Sequence, residues 1–337
     1  MFGQHKTVLI TGGAGFIGSH LVSMLVQRYP STSFYNLDLL TYAADLSRLR
    51  HLEDKNNYHF IKADIRDAEQ VHKLFQSYKF DGVFHLAAES HVDNSIKDPK
   101  IFLETNIIGT FNVLSAAKEL WSKQPQPYYR FLHVSTDEVY GSLGKTGLFS
   151  ETTPYAPNSP YSVSKASSYM IVRSFFHTYR LPVVITNCSN NYGPNQHKEK
   201  LIPLVIDNAI KGQPIPIYGN GKNIRDWLYV EDHCDALIYV FQKGLLGESY
   251  NIGTRNEKTN LEIVYLICDI LERLLPSRDN EHLVNINYHD LIIFVEDRKG
   301  HDFRYAIDGS KLSDLGWQAK NQDFKKALEV TVKSYIQ

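Results

Sequence analysis

The 337-residue chain has few cysteines: Cys188, Cys234 and Cys268 lie far apart and form no C-x-x-C pair. That spacing argues against a disulfide framework or a zinc knuckle and fits a reducing, cytoplasmic setting. No excess of either charge is present, with a formal net charge of −1. General attraction to nucleic acid or to an acidic membrane is thereby excluded, and any anion must be held by a local arrangement. No apolar run is long enough to span a bilayer. A strand-like segment begins within a few residues of Met1, so no signal peptide is expected. Internal repeats and low-complexity tracts are also missing. What remains is an ordinary globular composition, 43% hydrophobic and 22% charged. The chain is long enough for one large domain or two moderate ones.

The apolar segments are short and alternate with helix-like stretches. "TVLIT", "SFYNLDLL", "YHFIKADI", "FDGVFHLAAE", "RFLHVST" and "LPVVITNCSN" read as six strands. Between them lie amphipathic pieces such as "AEQVHKLFQSY". This alternation predicts an α/β fold, a Rossmann-like doubly wound parallel sheet covered on both faces. The alternation weakens after about Asn190, where "NNYGPNQ", "KGQPIPIYGNGK" and the helical "NLEIVYLICDILERLL" follow. The expected organisation is a dinucleotide-binding domain over 1–189, with 223–252 returning to it. A smaller, partly interleaved C-terminal substrate lobe takes 190–222 and 253–337. Two helices, 101–121 and 161–179, are apolar on more than one face. Either the second lobe covers the extra face, or the two helices form a symmetric homodimer interface.

Gly13, Gly15 and Gly18 give G-x-G-x-x-G, and Gly12, Gly15 and Gly18 give G-x-x-G-x-x-G, between a strand and a helix. That context suits a turn that approaches a pyrophosphate and delivers it to a helix N-terminus. Asp38, twenty positions after Gly18 at the end of the second strand, can bind both ribose hydroxyls of NAD and would repel the 2′-phosphate of NADP. Asp64 follows the third strand within reach of an adenine, while Asp67 suits a helix N-cap better. Tyr161 and Lys165 form Y-x-x-x-K and share one helix face. A nearby ammonium lowers a phenol's pKa, so this Tyr can take a proton from an alcohol as hydride leaves its carbon. In "STDEVYG" a strand ends on Ser135 and Thr136 and is followed by two acids, Asp137 and Glu138. They are either a solvated pair or the acid and base of a site. His85, Glu89 and His91 could be taken for a metal cluster, but alternation on a strand separates them and no metal is expected.

"TGGAGFIGSH", "HLAAESHVD", "STDEVYG" and "YSVSK" resemble the extended short-chain dehydrogenase/reductase superfamily. Within it, "TNCSNNYGPNQHKEKLIPL", "IRDWLYVEDH", "NIGTRNEKTN" and "DRKGHDFRYAID" resemble the dTDP-glucose 4,6-dehydratases over nearly the whole chain. Leu39, the run Asn195, Gln196, His197, Lys198, and Lys299 depart from the family's usual residues. The resemblance implies a lyase that uses NAD, keeps it bound through each turnover, and makes a 4-keto-6-deoxy sugar nucleotide. Thr136, Asp137, Glu138, Tyr161 and Lys165 would be catalytic, with Asp137 as acid and Glu138 as base. Cofactor contacts are implied at Gly12, Gly15, Phe16, Ile17, Gly18, Asp38, Leu39, Leu40, Thr41, Asp64, Ile65, Leu86, Ala87, Ala88, Glu89, Ser90, Thr105 and Asn191, besides Tyr161 and Lys165. Substrate contacts are implied at Ser90, Thr136, Asn190, Lys200, Leu201, Pro216, Ile217, Tyr218, Arg225, Asn260, Asp297, Arg298, Lys299, Gly300 and His301. Arg225 suits a phosphate; its alternative is a salt bridge to Asp226 or Glu231. Other readings are a UDP-glucose 4,6-dehydratase, a UDP-glucuronate decarboxylase, a GDP-mannose dehydratase, a 4-epimerase, or a regulator that binds NAD without turnover.

Overall fold

The computed structural model describes residues 4–336. Twelve strands are present among them: β1 (Thr7–Thr11), β2 (Ser33–Asp38), β3 (Tyr58–Lys62), β4 (Gly82–His85), β5 (Arg130–Thr136), β6 (Val183–Cys188), β7 (Asn190–Tyr192), β8 (Ile215–Tyr218), β9 (Ile224–Tyr229), β10 (Ser249–Ile252), β11 (Glu257–Thr259) and β12 (Ile292–Val295). Seven form one sheet in the order β10-β6-β5-β4-β1-β2-β3, and every pairing in it is parallel. The order reverses between β1 and β4, and a doubly wound sheet opens its ligand crevice at the carboxyl ends on either side of such a reversal.

The strands carry apolar residues to both faces because both are covered. One cluster packs helices Phe16–Arg28 and Val230–Lys243 on the sheet through Val8, Ile10, Leu21, Leu25, Phe84 and Phe241. The opposite cluster packs helices Ala68–Tyr78, Thr110–Lys123 and Pro160–Tyr179 through Leu9, Phe75, Val83, Val113, Phe131 and Val172. A third core, around Ile206, Trp227, Ile267 and Leu328, belongs to the C-terminal part. There β9 pairs with β7 and β11, and β8 pairs with β12. Within 223–252, β9 therefore lies in the small sheet, while the following helix and β10 join the large one.

Two local predictions need correction. Strands expected to run to Leu40, Ile65, Glu89 and Asn190 stop at Asp38, Lys62, His85 and Cys188. Their apolar pattern continues because the next residues leave the sheet and form the wall of the crevice. The helix expected over 101–121 is not one regular helix: Pro99–Leu103 and Thr110–Lys123 are joined by a π-helical turn, Glu104–Gly109. A π turn holds one extra residue and tends to mark a functional site. The other long helix runs Pro160–Tyr179, opened by a reciprocal Ser159–Ser162 capping box with Pro160 at its first position.

Candidate active site

The carboxyl ends of the central strands surround a cleft of about 500 Å³. Gly12 leaves β1 with φ +75, and a side chain there would place its Cβ 2.7 Å from the Ala87 nitrogen. Only glycine gives this turn its left-handed step against the neighbouring strand end. The helix that follows has neither a side-chain cap nor an acid in its first turn. Its N–H groups and positive dipole end are therefore available to a phosphate. Asp38, buried at the end of β2, accepts from the Ala14 N–H at 3.0 Å and the Leu40 N–H at 2.8 Å. These bonds fix its carboxylate in the cleft wall. Asp64 is tied to Arg66 at 2.6 Å, and the N-cap of the next helix is Asp67. An uncapped helix start, a glycine turn and a fixed carboxylate at the end of β2 fit the pyrophosphate and ribose of NAD.

On the other side of the cleft, β5 ends at Thr136 and the chain bends into a 3₁₀ turn, Asp137–Tyr140. Thr136 Oγ1 accepts from the Glu138 N–H and donates to Asp137 Oδ1, both at 3.3 Å. The bend suspends strand alternation, so both acids line the same cleft. Their surroundings differ. Asp137 is 1% exposed and its Oδ2 has no partner. Burial holds its pKa well above the usual carboxylate range, reinforced by the charges of Glu138 and Asp226, against Arg225 and the Thr136 hydroxyl. Burial raises Glu138 as well, with Asp302 adding to the rise and Lys200, Arg225 and Arg298 opposing it only in part. One acid is thus held toward its protonated form while the other sits among three cations.

Tyr161 and Lys165 also line the cleft. The expectation that Lys165 draws down the Tyr161 phenol does not hold for the protein by itself. The ammonium donates to the Val134 carbonyl at 2.7 Å, and burial lowers its pKa to about 8. Burial, followed by the Glu138 charge, holds the phenol well above its ordinary value. A cationic ring bound beside the phenol would act in the opposite direction.

Gly12, Gly15, Phe16, Ile17, Gly18, Asp38, Leu39, Thr41, Asp64, Ile65, Leu86, Ala87, Ala88, Glu89, Ser90, Thr105, Asn190, Asn191 and Lys200 line this same cleft; Leu40 does not. Asn191 is oriented by His233, whose Nδ1 lies 2.8 Å from its Oδ1. Leu201, Pro216, Ile217, Tyr218, Arg225, Asn260, Asp297, Arg298, Lys299, Gly300 and His301 lie outside the cleft lining. Arg298 pairs with Asp93 at 2.6 Å, and its guanidinium lies over the Tyr218 ring. Asp297 pairs with His301, and Lys299 is exposed. Arg225 makes neither expected ion pair. Its guanidinium donates to the carbonyls of Ile224, Asp302 and Phe303 and stacks on Tyr305. Asp226 instead accepts from the N–H groups of Thr254 and Asn256. His85 binds Thr11 and Thr110 through its two nitrogens, which removes it from any ligand role. Sequence reasoning overlooked Ala63, Ile101, Cys188 and Glu199, all in the lining, which also includes Gln196 and His197 from the departing run 195–198. The position of Ala63 and Cys188 at strand ends was a usable signal; Glu199 carried none.

The chain is similar over nearly its whole length to known dehydratases. Residues 9–330 match the family model for GDP-mannose 4,6 dehydratase. A dTDP-glucose 4,6-dehydratase of Neisseria gonorrhoeae is 51% identical, the match covering 98% of this chain and 96% of that protein. A dTDP-glucose 4,6-dehydratase structure from Bacillus anthracis in complex with NAD superposes with a TM-score of 0.84 at 43% identity, over 98% of this chain and 96% of that one. Another from Streptomyces venezuelae, also with NAD bound, gives 0.87 at 40% identity, over 98% and 97%.

Proposed function

The chain belongs to the dTDP-glucose 4,6-dehydratase family, and on that premise we propose that it removes water from a nucleotide-linked glucose, with dTDP-glucose as the preferred substrate. The product is a 4-keto-6-deoxy sugar nucleotide. The observation that carries the reading is the pair of adjacent carboxyls in one cleft, with burial favouring a proton on Asp137 and three cations around Glu138. Bound NAD supplies the acceptor for the C4 hydride and later the donor for C6. Tyr161 takes the C4 hydroxyl proton while Thr136 holds that hydroxyl in place. The C4 ketone acidifies the C5 hydrogen, and Glu138 removes it. Asp137 passes its proton to the C6 hydroxyl, which leaves as water; as hydride returns to C6, Glu138 gives its proton back to C5 and the 4-keto-6-deoxy sugar results. Such transfers need acid and base with separated pKa values.

The sugar nucleotide is held by Ser90, Asn190, Lys200 and Leu201 and by the outer wall formed by Pro216, Ile217, Tyr218, Asn260, Asp297, Arg298, Lys299, Gly300 and His301. Arg225 acts on the pyrophosphate with the donors its carbonyl partners leave free, out of five in a guanidinium. Residues 1–189, with part of 223–252, bind NAD, and the rest form the substrate lobe. The enzyme acts in the cytoplasm as a homodimer. Leu103, Ile108, Phe111, Val163, Met170 and Tyr179 are exposed along the two apolar helices, uncovered by the second lobe, which supports that interface.

Incubating the purified protein with NAD and either dTDP-glucose or UDP-glucose, and assaying the 4-keto product, tests the reading. Product from neither substrate refutes the dehydratase activity; faster turnover of UDP-glucose refutes the choice of nucleotide.

A further inference from the structure

The cleft wall that follows β6 carries an acceptor that the proposed steps leave unused. Gln196 lines the cleft and belongs to the run 195–198, where this chain departs from the family's usual residues. Its side-chain Nε2 donates to the Asn191 carbonyl at 2.8 Å. A carbonyl can only accept, so the Gln196 amide has one orientation and Oε1 is the end left over. That Oε1 is buried and has no hydrogen-bond partner among the described residues. A buried polar atom left unpaired calls for a reason, and a ligand group is one. Ser189 Oγ and Asn190 Oδ1 in the same wall are also unpartnered. The hydroxyl can donate as well as accept, and Asn190 already serves the sugar nucleotide in the proposed reading. Gln196 Oε1 can only accept, so what it meets must carry an N–H or an O–H.

The segment that carries Gln196 is fixed on several sides. The Pro194 carbonyl accepts from His20 Nε2 at 2.9 Å, which ties the segment to the helix after the glycine turn. Asn195 turns the chain through a left-handed step with φ +68. The Gln196 carbonyl accepts at 2.6 Å from the hydroxyl of Tyr335, on the C-terminal helix Phe324–Ile336. His197 packs edge-on against the Tyr42 ring. The neighbouring Asn191 side chain is engaged at both ends: its Oδ1 faces His233, and its Nδ2 donates to the Ser189 carbonyl at 3.0 Å. Of these two amides, Gln196 is the one with a buried end still unengaged. An acceptor held this firmly loses little freedom when a ligand meets it.

Position selects the ligand group. Asp38 and Asp64 line the part of the cleft that suits the adenosine of NAD. Gln196 is bonded instead to Asn191, three residues beyond Cys188, and the Cys188 thiol acts electrostatically on both Tyr161 and Lys165. This wall therefore borders the reacting end of the cofactor. On the nicotinamide ring, the carboxamide is the one group with an N–H. We propose that Gln196 Oε1 accepts from the carboxamide N–H of bound NAD. A nicotinamide ring that turns about its ribose bond can show either face, and a hydrogen bond to the carboxamide selects one of them for presentation to Tyr161. The inference deepens the NAD-dependent reading of the cleft and rests on it.

The test uses the oxidised acetylpyridine analogue of NAD, in which a methyl group replaces the carboxamide nitrogen and no N–H remains there. The purified protein is exchanged against an excess of an equimolar mixture of the two dinucleotides. Unbound ligand is removed by gel filtration, the protein is denatured, and the two released dinucleotides are quantified. No sugar nucleotide is present, so the result does not depend on dehydratase activity. Wild type should retain NAD over the analogue by about tenfold, the scale of one hydrogen bond whose loss leaves a buried acceptor unpaired. Gln196→Met keeps the length of the side chain without its amide and should bring the ratio to within about twofold of one. Gln196→Asn, shorter by a methylene, should do the same and replaces the Met variant if that protein does not fold. Equal retention of the two dinucleotides by wild type overturns the inference. A preference that the variants keep also overturns it, because another group would then bind the carboxamide. A wild type that retains neither dinucleotide overturns the NAD reading of the cleft and the inference with it.

Discussion

Replacing Asp137 with Asn tests the division between the two acids directly. The substitution is nearly isosteric, and Asn is uncharged, as a protonated Asp137 would be. Asp137 lies buried beside Glu138 with one oxygen unpartnered, and its folded-state pKa stands well above the ordinary value. The unfolded chain releases that proton near pH ~3.9. From about pH 4 up to its folded pKa, the native state therefore binds one proton more than the unfolded state. Stability falls across that window by about 1.4 kcal/mol per pH unit. An amide at this position does not titrate, so the Asp137→Asn protein lacks that dependence. The variant should be at least as stable as wild type at neutral pH, with a margin that grows as pH rises through the window. Its chemistry should fail at one step. Loss of a general acid lowers the rate by about 10²–10⁴-fold, equivalent to about 3–5 kcal/mol in the barrier. Oxidation at C4 needs only Tyr161 and Thr136 and should persist. Mixed with dTDP-glucose, the variant should show reduced-nicotinamide absorbance while the 4-keto-6-deoxy product forms slowly. Dehydration at the wild-type rate refutes the assignment. So does a variant less stable than wild type by the same amount at every pH, because Asp137 would then be ionised and usefully paired.

Gly12→Ala forces a side chain into a left-handed turn and against the Ala87 backbone; it should destabilise the fold by more than about 1 kcal/mol and abolish NAD retention, and a variant that keeps NAD through gel filtration refutes the reading of the turn. Phe111→Glu or Met170→Glu places a charge on the exposed apolar face of the two helices; either should yield a monomer by sedimentation, and a wild-type protein that is itself monomeric at micromolar concentration removes the dimer. His85 and His233 are buried, each with its pKa lowered to about 3, below the unfolded value of ~6.5. The unfolded state therefore takes up more protons below about pH 6, and stability should drop by about 1.4 kcal/mol per pH unit for each histidine; urea unfolding that shows no change between about pH 6 and pH 5 refutes this.

Much of the site was legible in the sequence because its signals are local. The glycine turn needs a few adjacent residues with special backbone freedom, and Gly12 and Asp38 fall where a strand–turn–helix–strand unit must place them. Tyr161 and Lys165 share a face because helix geometry alone makes them neighbours. The strand ends were misplaced because apolar residues such as Leu86 and Ala87 look alike in a sheet and in a cleft wall. The π-helical turn was missed for a similar reason: its residues keep a helical pattern, and only the packing of Asn106 and Gly109 reveals the extra residue.

By itself, the amino-acid order determined the doubly wound sheet, the dinucleotide turn, the Y-x-x-x-K face and the presence of two acids at one strand end. Each follows from periodicity or spacing over a short stretch. Only the tertiary structure decided what those groups are. Lys165 is directed at the Val134 carbonyl, and Arg225 is bound by backbone carbonyls. Burial raises the Glu138 pKa, opposed in part by Lys200, Arg225 and Arg298, which come from three separate segments. Protonation depends on burial and on charges brought close by folding, and those distances are not written in any local pattern.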